Sequence, residues 1–149
     1  MHVRPFGLPQ SCLMIKLFVI YEPTIKKNVD SWHRRERSFE PLKKSAIEYG
    51  SFSIPGIENV SLAGLTDHPD GGVSALIRMQ KGSVIPHHEH KHFEETFLLK
   101  GSIDCGGTII EARDYVRVDA DKTHQIAAIK NSKFLVILHQ GVILDGLEQ

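Results

Sequence analysis

Four of the nine histidines of this chain fall between positions 87 and 92, and two glutamates follow at once. The stretch reads Gly82-Ser83-Val84-Ile85-Pro86-His87-His88-Glu89-His90-Lys91-His92-Phe93-Glu94-Glu95-Thr96-Phe97-Leu98-Leu99-Lys100-Gly101, with a glycine at each end. His88, His90 and Glu94 share one parity, so on an extended backbone their side chains leave the same face. Imidazole and carboxylate together suit divalent transition metals such as Zn, Fe, Ni and Mn. Two imidazoles and one carboxylate make three ligands. A fourth must come from elsewhere, and His124 is the candidate.

The surrounding sequence is patterned for strands. From Tyr49 onward short apolar runs alternate with turn signals at near-regular spacing, which argues for an all-β sandwich or barrel. Val60 to Thr66 and Val73 to Met79 are strand candidates, separated by Asp67-His68-Pro69-Asp70-Gly71-Gly72, a run of turn-forming residues. Lys81-Gly82 turns the chain into the histidine-rich stretch. Glu95 to Lys100, Ser102 to Asp104 and Thr108 to Glu111 continue a meander, with Cys105-Gly106-Gly107 as a hairpin turn. Tyr115 to Val118, His124 to Ala128 and Lys133 to His139 follow, and Gly141 closes the last clear strand. No long amphipathic helix pattern, internal repeat or low-complexity tract is present.

The same residues carry a family resemblance. The first motif of the cupin superfamily runs Gly, five residues, His-x-His, three or four residues, Glu, six residues, Gly; Gly82, His88, His90, Glu94 and Gly101 meet every spacing. Positions 111–124 keep the rhythm of the second cupin motif and retain its histidine as His124. They depart from it elsewhere: Arg113 replaces the leading glycine, Asp119 and Asp121 stand where Pro and Gly usually stand, and Ala128 replaces Asn. The resemblance covers roughly positions 55 to 142. It is strongest to ChrR-like cupins and the related acetylacetone-cleaving dioxygenases, through Pro55-Gly56-Ile57, Ala75-Leu76-Ile77-Arg78, Glu94-Glu95, Leu98-Leu99-Lys100-Gly101 and Asp114-Tyr115-Val116. It implies a cupin jelly-roll β-barrel (a double-stranded β-helix) with one divalent transition metal (Fe, Zn, Ni or Mn) per chain at its mouth, held by His88, His90, Glu94 and His124. It also implies a homodimer, because small cupins often exchange N-terminal strands.

At 149 residues the chain makes one domain, large enough for a real core. We divide it into an N-terminal arm, 1–48, and a barrel, 49–149. Eighteen basic residues balance eighteen acidic ones, which gives no electrostatic reason to propose a nucleic-acid partner. Cys12 and Cys105 make no disulfide framework, so a reducing cytoplasm is the expected setting, with a Cys12–Cys105 bridge as the minor alternative. The apolar run 13–21 is broken by Lys16, too short to span a bilayer, and followed by no cleavage-site pattern. Positions 14–21 read as a strand that Pro23 ends or as part of a leader; Met14 offers a second start. Positions 25–47 are dense in charge and read as a solvated segment with one short helical turn near Asp30 to Arg37. Trp32, the single tryptophan, would pin this arm to the barrel.

Within the central stretch His87 has the wrong parity and is expected at the surface or behind the ligands. His92 has the right parity and is the rival ligand unless the chain bends after His90. Glu95 should point away from Glu94, toward solvent or a subunit partner. His139 and Arg78 could reach the cavity but are expected to be structural. Three imidazoles and a carboxylate leave two positions of an octahedron open. With an apolar wall of Leu76 or Ile77, Phe97 or Leu98, Ile126 and Leu138, the barrel would suit a small, partly apolar ligand. The expected function is a dioxygenase-like enzyme acting on a small dicarbonyl or aromatic ketone. The alternative is a non-catalytic zinc-binding sensor of the anti-sigma-factor type, although the sequence contains no His-x3-Cys-x2-Cys zinc module. A sugar isomerase or epimerase ranks last, for want of phosphate-binding residues.

Overall fold

A computed structural model describes residues 41–52, 54, 56–69, 71–140 and 142–144. Among the described residues a 3-10 turn, Lys44–Ala46, precedes the strands. The strands are β1 (Gly50–Ser51), β2 (Val60–Asp67), β3 (Val73–Met79), β4 (Val84–His90), β5 (Glu94–Lys100) and β6 (Ser102–Cys105). They continue as β7 (Thr108–Glu111), β8 (Tyr115–Val118), β9 (Thr123–Ala128), β10 (Ser132–Leu138) and β11 (Val142–Leu144). They form two antiparallel sheets, one of six strands in the order β1-β2-β3-β10-β5-β8 and one of five in the order β11-β4-β9-β6-β7. Apart from β1-β2, β2-β3 and β6-β7, the paired strands are distant in sequence, which is the connectivity of a jelly roll. No described helix is long and apolar enough to cross a membrane.

Alternation drives the packing. In β10, Phe134, Val136 and Leu138 are buried while Lys133, Leu135 and Ile137 are only partly covered. In β3, Val73, Ala75, Ile77 and Met79 face the core, and Leu98 of β5 and Ile126 of β9 close it from the two sheets. The undecided wall pairs thereby resolve. Ile77 belongs to the core cluster, whereas Leu76, though buried, does not, and Leu98 is fully buried while Phe97 is exposed. Burial of such side chains contributes roughly 1.5–3 kcal/mol each.

Most expected strands lie within a residue of their sequence-read limits. Three short or irregular ones were not read: β1, β11 and the full extent of β4. The expected strand at 14–21, the helical turn near Asp30 to Arg37, Trp32, Cys12 and Met14 lie outside the described residues.

Two turns answer the departures from the second cupin motif. Arg113 has φ 83° and Asp121 has φ 61°, both left-handed, so the backbone keeps the conformation that glycine fills most easily. The Arg113 amide donates to the Leu98 carbonyl at 2.7 Å, and the Asp121 amide to the His90 carbonyl at 2.9 Å. These bonds hold both turns in place despite the side-chain cost. At Gly101, φ is 91°, and a Cβ there would overlap the Asn131 carbonyl and the Ser132 hydroxyl.

Candidate metal centre

The site is built on a bulge. In the pairing of β4 with β9, Ile85 faces Ile126 and His88 faces His124, so β4 carries one residue more than its partner. Pro86 sits in that bulge, a position that tolerates the missing amide. The extra residue resets the alternation: Ile85 and His88 are both buried despite their odd spacing, and His87 is turned out to solvent. The Pro86 carbonyl then accepts a hydrogen bond from His88 Nδ1 at 2.8 Å. That bond leaves the His88 Nε2 lone pair for the interior.

His90 ends β4, and the chain bends at Lys91 and His92 before β5 begins at Glu94. The bend carries Glu94 to the other sheet. Its carboxylate meets the histidines because the two inner faces oppose each other, not because one strand face is shared. The same bend leaves His92 exposed, beside Phe93 and His139 with ring centroids 4.6 and 5.4 Å away. Glu95 points outward and accepts hydrogen bonds from the Tyr115 hydroxyl and His139 Nε2, each at 2.8 Å. Arg78 lies over the Tyr49 ring, its guanidinium carbon 3.5 Å from the centroid.

His88, His90, Glu94 and His124 are brought together, all buried, with one potential ligand atom from each within 4.8 Å of the others. The Nε2 atoms of His88 and His124 are 2.9 Å apart, and those of His90 and His124 are 3.0 Å apart. Glu94 Oε2 is 3.5 Å from His90 Nε2, and its Oε1 is 4.0 Å from His124 Nε2. Adjacent nitrogens about 2.1 Å from one cation and at right angles would be separated by about 3.0 Å. The spacing and the chemistry of the donors therefore fit a single divalent transition metal.

The electrostatics agree with that fit. Burial, reinforced by the neighbouring His88 and His124, pushes His90 down to about 3. Burial, with His88 and His87 nearby, pushes His124 down to about 4. Both imidazoles are neutral at physiological pH, the form that donates a lone pair to a metal. Burial raises Glu94 to about 7 against the opposing effect of the Thr96 hydroxyl, which donates to Oε1 at 3.1 Å. A carboxylate this reluctant to ionise lacks a cationic partner, which a metal would provide.

Sequence reading missed three supports: the Pro86 carbonyl, Thr96 and Cys105. Cys105 is a free, buried thiol whose sulfur lies 3.3 Å from His124 Nδ1, where it receives the N–H of the tautomer that frees Nε2. Burial, with Glu94 and Asp104 nearby, pushes its thiol up to about 12. The sequence places Cys105 in a hairpin turn with Gly106 and Gly107, whereas the structure makes it the last residue of β6. Only the pairing of Cys105 with Ile126 brings it beside His124.

A family model described as ChrR Cupin-like domain matches residues 42–143. The chain belongs to that family. No curated protein matches the sequence. Among solved structures, the barrel is similar to a proposed acetylacetone dioxygenase from Methylibium petroleiphilum, with 20% identity over 73% of this chain and 78% of that one, and a TM-score of 0.61. An acetylacetone dioxygenase from Acinetobacter johnsonii gives 18% identity, 73% and 74% coverage, and a TM-score of 0.60. The polyketide cyclase RemF from Streptomyces resistomycificus gives 15% identity, 75% and 89% coverage, and a TM-score of 0.60. At these identities the likeness is one of fold.

Proposed function

We propose that this ChrR-like cupin is a non-haem metal dioxygenase-like enzyme acting on a small dicarbonyl or aromatic ketone. The observation that carries the reading is the buried set of three imidazoles and one carboxylate at the inner end of β4, β5 and β9. The acetylacetone dioxygenases among the structural neighbours favour the same substrate class. A divalent iron held by His88, His90, Glu94 and His124 would supply Lewis acidity and the redox capacity to engage dioxygen.

The chain's own residues account for the rest. The Pro86 carbonyl and Cys105 hold two imidazoles in the tautomer that presents Nε2. Thr96 fixes one oxygen of Glu94 and leaves the other turned to His90. Ile126, Leu138 and Leu98, all buried in the core, make the surroundings of the ligands apolar, which would keep bulk water from a small, partly apolar ligand. Oxygen uptake tests the reading. The iron-loaded protein should consume oxygen on addition of a β-diketone, and His88→Ala should not; absence of both uptake and any spectral change in the wild-type protein would remove the proposal.

The family relation also motivates a second reading, a non-catalytic zinc-binding sensor. Stoichiometric zinc in protein purified from cells supplied with both iron and zinc, and no oxygen uptake after iron loading, would favour it. We also carry the homodimer forward. Phe97, Leu99 and Tyr115 on β5 and β8 are exposed, as a covered subunit face would require in a single chain. Light scattering on the full chain tests that assembly.

A further inference from the structure

A cavity of about 860 Å³ opens beside the end of the six-stranded sheet away from the metal centre. At the metal end, Val73 of β3 faces Leu138, which faces Glu94; six residues along β3, Met79 faces Ser132 at the cavity. Those six residues separate the two places by about 20 Å. Phe52, half-buried and packed against the core that holds Ile57, Val60 and Met79, gives the cavity an apolar floor. Its volume lies within the range of small-molecule sites.

The rim is cationic. Arg78 faces Lys133 across β3 and β10, and Lys133 faces Lys100 across β10 and β5, and all three border the cavity. Like charges placed directly opposite on neighbouring strands destabilise a sheet. Among the described residues no carboxylate forms an ion pair with any of the three. The Tyr49 ring receives Arg78 and lies 6.0 Å from the Lys133 ammonium, which offsets part of the repulsion. Among the described residues Glu58 is the one acidic residue lining the cavity, against three cations. In a chain whose basic and acidic residues balance, this row is a local concentration of positive charge rather than a share of a general excess.

We propose that this cavity binds a small organic anion, with a carboxylate or phosphoryl group on the Arg78–Lys133–Lys100 row and an apolar body on the floor. The planar guanidinium of Arg78 suits either head group through paired N–H donors, and the two ammonium groups add charge at the spacing of adjacent strands, about 5 Å. Asn59 and Asn131 border the same opening and offer neutral donors at its edge. The site is independent of the metal reading.

Octanoate and phenyl phosphate test the two head groups, with octanamide as the uncharged control, in titrations of the isotopically labelled full chain followed by amide resonances. One or both anions should produce saturable shifts at Asn59, Lys100, Asn131 and Lys133, and octanamide should bind at least about tenfold more weakly. Arg78→Gln should weaken the anion about tenfold or more. The triple variant Arg78→Gln, Lys100→Gln, Lys133→Gln should abolish binding while its melting temperature stays level or rises. Failure of both anions to shift those four resonances in the wild-type protein overturns the proposal, as does equal binding of octanamide. Shifts confined to His88, His90 and His124 would place the anion at the metal centre instead and also overturn it.

Discussion

His88 and His124 face each other across β4 and β9, and their Nε2 atoms stand 2.9 Å apart in the closed interior of the barrel. With each Nδ1–H committed to the Pro86 carbonyl or to Cys105, the two Nε2 lone pairs face each other, and His90 Nε2 also lies 3.0 Å from His124 Nε2. Three ring nitrogens converging on one point are better satisfied by a cation than by a proton.

Elemental analysis of single variants checks that convergence. His88→Ala and His124→Ala should each reduce bound metal to less than about one-tenth of the wild-type level, as expected for loss of a directly bonded ligand. His87→Ala and His92→Ala, both at exposed positions, should retain it. Equal metal loss in all four would mean that the histidine-rich stretch binds metal loosely at the surface.

Metal affinity should fall steeply below pH 7. In the metal-free protein Glu94 is raised to about 7, so at lower pH the incoming metal must displace its proton. His90 and His124, lowered to about 3 and 4, remain neutral across that range and offer little competition. The metal-free protein carries the opposite signature of Glu94. Its raised folded value contributes stability that is present below about pH 4.5 and lost as pH rises through 7, so binding should be accompanied by proton release that disappears above about pH 8. Calorimetry in buffers of different ionisation enthalpy measures that proton directly.

Cys105→Ala should weaken metal binding by about tenfold or more without unfolding the protein, because it removes the partner that orients His124. The thiol itself should resist iodoacetamide at pH 8 in the folded chain, since it is buried and raised to about 12. Peptide mass spectrometry distinguishes it from Cys12.

The left-handed turn residues should respond to glycine. Arg113→Gly should stabilise the protein by about 1 kcal/mol, because glycine adopts φ 83° without a Cβ penalty. Asp121→Gly should gain less, since aspartate tolerates that region better than arginine. Denaturant midpoints at constant slope decide the order.

Gly101→Ala should act in the other direction and cost roughly 2–4 kcal/mol. It combines an unfavourable positive φ with overlap against the backbone at Asn131. A loss below 0.5 kcal/mol would show that β5 and β10 can separate at that end without penalty.

Much of the architecture was legible because strand patterning is local. The runs Val73 to Met79 and Lys133 to His139 announce themselves by β-branched and apolar content between turn residues, and the bracketing glycines mark the metal stretch. His88, His90, Glu94 and His124 were all named from residue type, spacing and family resemblance. The parity rule, however, carries Glu94 to the same place for a different reason: it treats 88–94 as one extended run, whereas the chain bends at 91–92 and changes sheets. The short pairings of β1 and β11 were missed because strands of two and three residues carry too little pattern to register.

By itself the sequence determined most of the elements, their order and the chemical types available at the site, because each depends on neighbours a few residues away. Only the tertiary structure decided what those groups meet. It showed the bulge at Pro86 that turns His88 inward, the strand pairing that places Cys105 behind His124, and the alignment of Arg78, Lys133 and Lys100 from three strands. All three depend on register between segments roughly twenty to fifty residues apart, and register is set by the packing of whole sheets rather than by any local pattern.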